Sequence, residues 1–261
     1  MKNNKFEELI PEEIISETSQ SGICYLPIGS MEWHGPHMGM GVDTLHAYEI
    51  SLRTSKKTGG VVFPPLFIGT ENERSSSVLK NLGFSGNEKI VGMDFPNNSI
   101  KSFYWPEDLF EAIIRAQTEM TRRLGFKLIV FTNGHMAESQ MEILEKISAE
   151  LSDAACKIVV LNVLFTESFP QTGHAGLAET AIMMNIAPDS VKLDKLPERS
   201  TPLQNVDFAI VDNDSFLGKR GHDFTVHFDP RDASAELGER IIEAEVKKCV
   251  DLVLAARNMI A

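Results

Sequence analysis

The chain is poor in cysteine: Cys24, Cys156 and Cys249 lie far apart in 261 residues, with no Cys-x-x-Cys pair among them. Cys24 and Cys156 fall in apolar, strand-like runs, so buried free thiols in a cytoplasmic protein are the expectation. Long apolar runs are missing as well. Nothing approaches the roughly 18 consecutive apolar residues of a membrane span, and Met1-Lys-Asn-Asn-Lys-Phe-Glu-Glu8 has no signal-peptide core. Clustered positive charge is the third absence. There are 25 Lys and Arg against 37 Asp and Glu, a formal net charge of −12, and no basic block. Phosphate binding rests on clustered cations, which argues against nucleic acid or an anionic membrane as partner.

What is present reads as one α/β domain over residues 1–261, long enough to bury a core without staples and free of repeats and linkers. Apolar runs at Gly22–Ile28, Val61–Ile68, Phe126–Thr132 and Lys157–Phe165 predict strands, continuous rather than alternating, as in a sheet covered on both faces. Between them, helical spacing predicts helices over 5–20, 44–57, 107–124, up to Ser152, over 179–185 and over 234–257. Residues 70–104 and 188–230 are poorly patterned, and a long irregular stretch is usually a functional loop or an assembly element. Alternating strands and helices predict a mostly parallel sheet in a three-layer α/β/α arrangement, whose ligands bind beyond the carboxyl ends of the strands.

Three polar groups fall at those ends. After the first strand, Gly29-Ser-Met-Glu-Trp-His-Gly-Pro-His37 leads to Asp43. Glu32 and His34 share one side of an extended segment, and Asp43 returns to them only if Gly35, Pro36, Gly39 and Gly41 turn the chain. A helix N-cap is the plainer reading of Asp43. After the third strand, Gly134 permits a sharp turn that puts His135 over the sheet end; Glu138 then serves as an orienter or extra base, or is a first-turn carboxylate favoured by the helix dipole. After the fourth strand come His174 and Glu179. Each group is weak alone. Together, Glu32, His34, Asp43, His135 and Glu179 supply imidazole and carboxylate donors for a pair of divalent ions, and His174 is left for proton transfer. His37 and His46 read as supporting residues.

The run Leu26-Pro-Ile-Gly-Ser-Met-Glu-Trp-His-Gly-Pro-His37 with Asp43, then Asn133-Gly-His135, then His174-Ala-Gly-x-x-Glu179-Thr180, resembles the creatininase (creatinine amidohydrolase) family in order and spacing. Asp229-Pro-Arg-Asp-Ala-Ser-Ala-Glu-Leu-Gly238 is similar to that family's last motif. The resemblance implies a dinuclear site of zinc and/or manganese. Glu32 and His135 would hold one ion, His34 and Glu179 the other, and Asp43 would bridge them. It also implies a hexamer, with residues 70–104 as interface or lid. The chain departs from creatininases where they carry an aromatic and a carboxylate after the histidine: Met136 and Ala137 stand there. Glu138 stands where many relatives have Asn, and Pro170 aligns with the Trp that stacks on the flat creatinine ring. The resemblance thus implies metal-dependent hydrolysis of a C–N bond in a small-molecule substrate, a small cyclic amide or formamide other than creatinine. Hydrolytic C–C cleavage of a cyclic polyol-derived diketone, or a catalytically silent metal-stabilised assembly subunit, are the alternatives.

Overall fold

The computed structural model describes residues 4–259, apart from 82–83, 97, 164–172, 202, 204, 207–208 and 211–228. Its centre is a parallel sheet of β1 (Ile23–Gly29), β2 (Val61–Val62), β3 (Leu66–Phe67), β4 (Leu128–Asn133) and β5 (Lys157–Asn162). The order is β2-β1-β4-β5, with β3 also paired to β1. Register matches Ile23 with Leu128 and Leu128 with Lys157, so β1, β4 and β5 end level with one another. That alignment brings three loops to one edge.

Alternation of side chains across the strands builds two cores. Ile23, Tyr25, Leu128 and Val130 face one way, against α2 (Val42–Thr58), α6 (Leu177–Ile186) and α7 (Ala235–Asn258). Cys24, Leu26, Ile28, Ile129 and Phe131 face the other way, against α4 (Glu107–Arg123) and α5 (Glu138–Leu151). The expected three layers are present. All three cysteines are buried and unpaired, and no helix among the described residues is long and apolar enough to cross a membrane.

The departures from the sequence reading are local. The 5–20 helix is a 3-10 turn, Phe6–Glu8, followed by α1 (Pro11–Gln20), because proline fits only the opening positions of a helix. Pro64 and Pro65 split the Val61–Ile68 run into β2 and β3, since proline cannot donate to the ladder. The fourth strand ends at Asn162, and residues 164–165 of its expected span lie outside the described part. Among the described residues, the 70–104 stretch contains α3 (Ser76–Asn81), and 188–210 contains two 3-10 turns and the short antiparallel pair β6 (Asn205–Val206) and β7 (Ala209–Ile210). Helix α2 opens at Val42 with Gly41 as its N-cap, so Asp43 lies in the first turn and is not the cap.

Candidate metal centre

Two glycines make the site possible. Gly29 ends β1 and Gly134 follows β4, and both lie against the backbone of Asp43. A Cβ on Gly29 would come within 2.7 Å of the Asp43 carbonyl carbon, and one on Gly134 within 2.0 Å of its carbonyl oxygen. Helix α2 can therefore start directly over two strand ends. The loop between β1 and α2 is closed by a hydrogen bond from the Glu32 N–H to the Met40 carbonyl, 2.9 Å, and turned by Gly35 at φ +74°. This is the turn that returns Asp43 to Glu32 and His34.

Five side chains from these elements converge. Asp43 Oδ1 lies 3.0 Å from His34 Nε2, and its Oδ2 lies 3.1 Å from His135 Nδ1. Glu32 Oε2 is 3.3 Å from His135 Nδ1, and Glu179 Oε2 is 3.8 Å from His34 Nε2. Donor atoms of Glu32, Asp43 and His135 lie within 4.8 Å of one another, and so do those of His34, Asp43 and Glu179. Asp43 belongs to both groups and turns one oxygen to each. A third such group joins His174 to Glu32 and His34.

The two histidines present different nitrogens. His34 Nδ1 sits 3.0 Å from the Glu32 carbonyl, an acceptor only, so Nδ1 carries a proton and Nε2 is the nitrogen turned toward Asp43 and Glu179, free to offer its lone pair when an ion takes the place of its proton. Among the described residues that buried Nε2 forms no well-directed hydrogen bond, although Asp43 Oδ1 lies 3.0 Å away. His135 instead turns Nδ1 inward, toward Asp43, Glu32 and Ser30 Oγ at 3.2 Å. Ser30 Oγ also donates to Asp43 Oδ2 at 2.5 Å, and Ala175 donates its N–H to Glu179 Oε2 at 2.6 Å from a left-handed backbone, φ +57°. Strain of that kind in a non-glycine residue persists only where its surroundings hold it.

Burial makes the charges consequential. Glu32 and Asp43 are 4% exposed and Glu179 is 7% exposed. Three carboxylates so far from water need cationic partners nearby. Burial is the largest influence on Glu32 and works to raise its carboxyl, but the His174 and His135 rings outweigh it and hold the group at about 2. Asp43 is likewise held well below the usual range against its burial, chiefly by His34. Burial opposes charge on His34, yet Asp43 and Glu179 bring it up to about 10; Glu32 and Asp43 raise His135 in the same way. Divalent ions supply that positive charge without protons, and carboxylate oxygens with neutral imidazoles are the donors that zinc and manganese take. The donor set and the unsatisfied His34 Nε2 both fit such ions.

His174 borders the group. Its Nε2 is 2.6 Å from the Trp33 carbonyl, its Nδ1 is 3.8 Å from Glu32 Oε2, and its ring stacks at a tilt on His34 with centroids 4.1 Å apart. It is the more exposed of these side chains, at 11%. Glu138 stands apart: it is the exposed first residue of α5 and belongs to none of the three donor groups. The helix begins at this residue, so the carboxylate takes the first-turn place that the dipole favours. His37 is buried, bonds Thr180 Oγ1 at 3.0 Å, and is lowered to about 4 by its burial. His46 pairs with Glu245 of α7. Pro170 lies outside the described residues; Met136 is half-buried and Ala137 buried beside the site.

The sequence reading missed three members. Ser30 is described above. Tyr104 donates its hydroxyl to Glu32 Oε1, and Glu71 Oε2 stands 3.9 Å from His135 Nε2. Burial raises the Glu71 carboxyl. Both come from the irregular 70–104 segment, where no periodicity marks a residue as inward-facing.

The family model for creatinine amidohydrolases, Creatininase, matches residues 7–253. The chain belongs to the creatininase family. As a member it is a hydrolase. A creatinine amidohydrolase of Pseudomonas putida is 29% identical over 67% of this chain and 68% of its own length. A mycofactocin precursor peptide peptidase of Mycolicibacterium smegmatis is 27% identical over 87% and 83%. Two solved structures, a manganese creatininase and a mutant creatininase of Zn-Zn type, each superpose with a TM-score of 0.68 at 24% identity. Each covers 97% of this chain and 98% of its own. At that identity the superposition speaks for the fold, which is that of creatininases.

Proposed function

We propose that this creatininase-family hydrolase cleaves an amide C–N bond at a pair of divalent ions, zinc or manganese. Glu32 and His135 hold one ion, His34 and Glu179 the other, and Asp43 is shared. The observation that carries this reading is Asp43, whose two oxygens face two different imidazole nitrogens in two separate three-residue groups. Mn and Zn in the creatininase structures support the choice of metal. The names of the two relatives, an amidohydrolase and a peptidase, both describe hydrolysis of an amide, which supports the bond class. Met136 and Ala137, in place of an aromatic and a carboxylate, support a substrate other than creatinine.

When bound, the ions supply a hydroxide at neutral pH and polarise the substrate carbonyl. The chain's residues do the rest. The Glu32 carbonyl fixes the His34 tautomer so that Nε2 faces inward. Ser30 and the Ala175 N–H orient Asp43 and Glu179. His174, anchored at Nε2 by the Trp33 carbonyl, turns Nδ1 to the site, and that nitrogen takes up the proton released by the attacking water and passes it to the departing amine. The family match over 7–253 supports one domain. Buried free thiols support a cytoplasmic setting, and exposed Ile100, Phe103, Trp105 and Leu109 support the expected homo-oligomer.

The test pairs metal content with amine release across cyclic amides, formamides and short peptides. His174→Ala should keep the ions and lose about 10²–10⁴ in turnover. Full turnover in that variant, or a wild-type protein with neither metal nor amide hydrolysis, would refute the reading.

A further inference from the structure

The segment between β3 and α4 folds back on itself with its ends in register. Gly69 and Tyr104 form a parallel bridge, Glu73 and Val91 an antiparallel one. Arg74 Nε donates to the Gly92 carbonyl at 2.6 Å, and the Gly92 N–H to the Asn72 carbonyl at 3.2 Å. These ties set Glu71 and Tyr104 side by side with Gly92 between them. Gly92 is left-handed, φ +51°, and a Cβ there would lie 2.5 Å from Glu71 Cγ and 2.6 Å from the Tyr104 hydroxyl. Only glycine allows both side chains to reach the sheet end together.

What they reach is the pair of residues assigned above to one ion. Tyr104 gives its hydroxyl proton to Glu32 Oε1 and accepts the Met93 N–H at 3.1 Å, so its direction is fixed. Glu71 Oε1 accepts the Asn72 N–H at 2.8 Å, which leaves Oε2 facing His135 Nε2 at 3.9 Å. That Nε2 is buried and forms no hydrogen bond among the described residues. Nδ1 is the nitrogen turned to Asp43 and Glu32, so with an ion held there Nε2 would carry the ring proton. A carboxylate facing it is the arrangement that orients a ligating imidazole and strengthens it as a donor. His34 differs: its outer nitrogen meets an uncharged carbonyl of its own loop.

Building on the two-ion reading, we infer that Glu71 and Tyr104 are positioning residues for the ion held by Glu32, Asp43 and His135, with Glu71 as the carboxylate partner of His135. The two metal positions are then unequal. The first is braced by the 69–104 segment, the second by the β1–α2 and α6 loops. Affinity at the first position can change without disturbing the second.

The full chain, stripped with a chelator, is titrated with Zn²⁺ or Mn²⁺ against a competing fluorescent chelator. Wild type should show two binding events. In Glu71→Gln, which keeps the side chain's shape, one event should weaken by about 10–100-fold and the other stay unchanged. Glu71→Ala should behave alike, and Tyr104→Phe should weaken the same event. In the zinc-loaded protein the His135 Nε2 proton resonance should move and exchange faster in Glu71→Gln, a signature that general loosening of the loop would not confine to one histidine. Both events unchanged within about twofold, or both weakened equally, would overturn the inference. A wild type that binds no ions would instead overturn the two-ion reading, and would show before any substitution is made.

Discussion

Gly134→Ala tests the architecture of the site without touching a donor. The added methyl would lie 2.0 Å from the Asp43 carbonyl oxygen and 2.7 Å from its carbonyl carbon, where ordinary contact begins at 3.4 Å. The obstacle is backbone in the first turn of α2, so no side-chain rotation relieves it. Either α2 or the end of β4 must retreat by more than about 1 Å, against a coordination tolerance of about 0.2 Å. Overpacking of this kind costs about 1–3 kcal/mol, a fall in Tm of roughly 2–10 °C for a chain of this size. The functional loss is larger, since misplacing a reacting group by about 1 Å costs about 10²-fold. Gly125→Ala is the control: φ is +93° with nothing within 4 Å of the new methyl, so it costs about 1 kcal/mol of backbone strain and should leave metal content and turnover intact. The assay is metal content by elemental analysis, Tm by calorimetry and amine release for both variants. Wild-type metal and turnover in Gly134→Ala would refute the close-packed origin of the site, as would an equal functional loss in Gly125→Ala.

Two further outcomes follow from residues near the centre but outside it. His46 and Glu245 form a buried pair, Nε2 to Oε2 at 2.5 Å, between α2 and α7. Burial, the largest influence, opposes charge on His46, but Glu245 outweighs it and raises the ring above its usual value. A raised folded value means that the pair's stabilisation is full below the unfolded pKa of about 6.5 and fades as pH rises through the folded one. The Tm gap between wild type and Glu245→Gln should therefore be widest below about pH 6.5 and narrow on the alkaline side; a gap that widens with pH contradicts the pairing. Glu138→Gln should change turnover by less than about twofold, since an exposed first-turn carboxylate contributes about 0.3–1 kcal/mol to its helix and nothing to the donor groups. A loss on the scale of His174→Ala would return Glu138 to the site.

Much of this was legible in the linear sequence because it depends on short-range physics. Continuous apolar runs located β1, β4 and β5, and helical spacing with Pro106 and Ser234 located α4 and α7 to within a residue or two. Imidazoles and carboxylates at three strand ends pointed to one place, because a parallel sheet brings those ends level. The break between β2 and β3 is also local in origin, since Pro64 and Pro65 interrupt the apolar run that otherwise reads as one strand. By itself, the sequence determined which loops carry polar donors and what chemistry those donors suit. Tertiary structure alone decided how they face one another. Asp43 turns an oxygen to each histidine because Gly29 and Gly134 let α2 start against two strand ends, a contact between residues 14 and 91 positions apart along the chain. Glu138, which sequence proximity to His135 favoured, is carried to solvent by the start of α5, while Glu71 and Tyr104 arrive from a segment with no periodicity to announce them. Local pattern records propensity and burial. Which carboxylate meets which imidazole depends on distances of a few tenths of an ångström, set by close packing between elements remote in sequence.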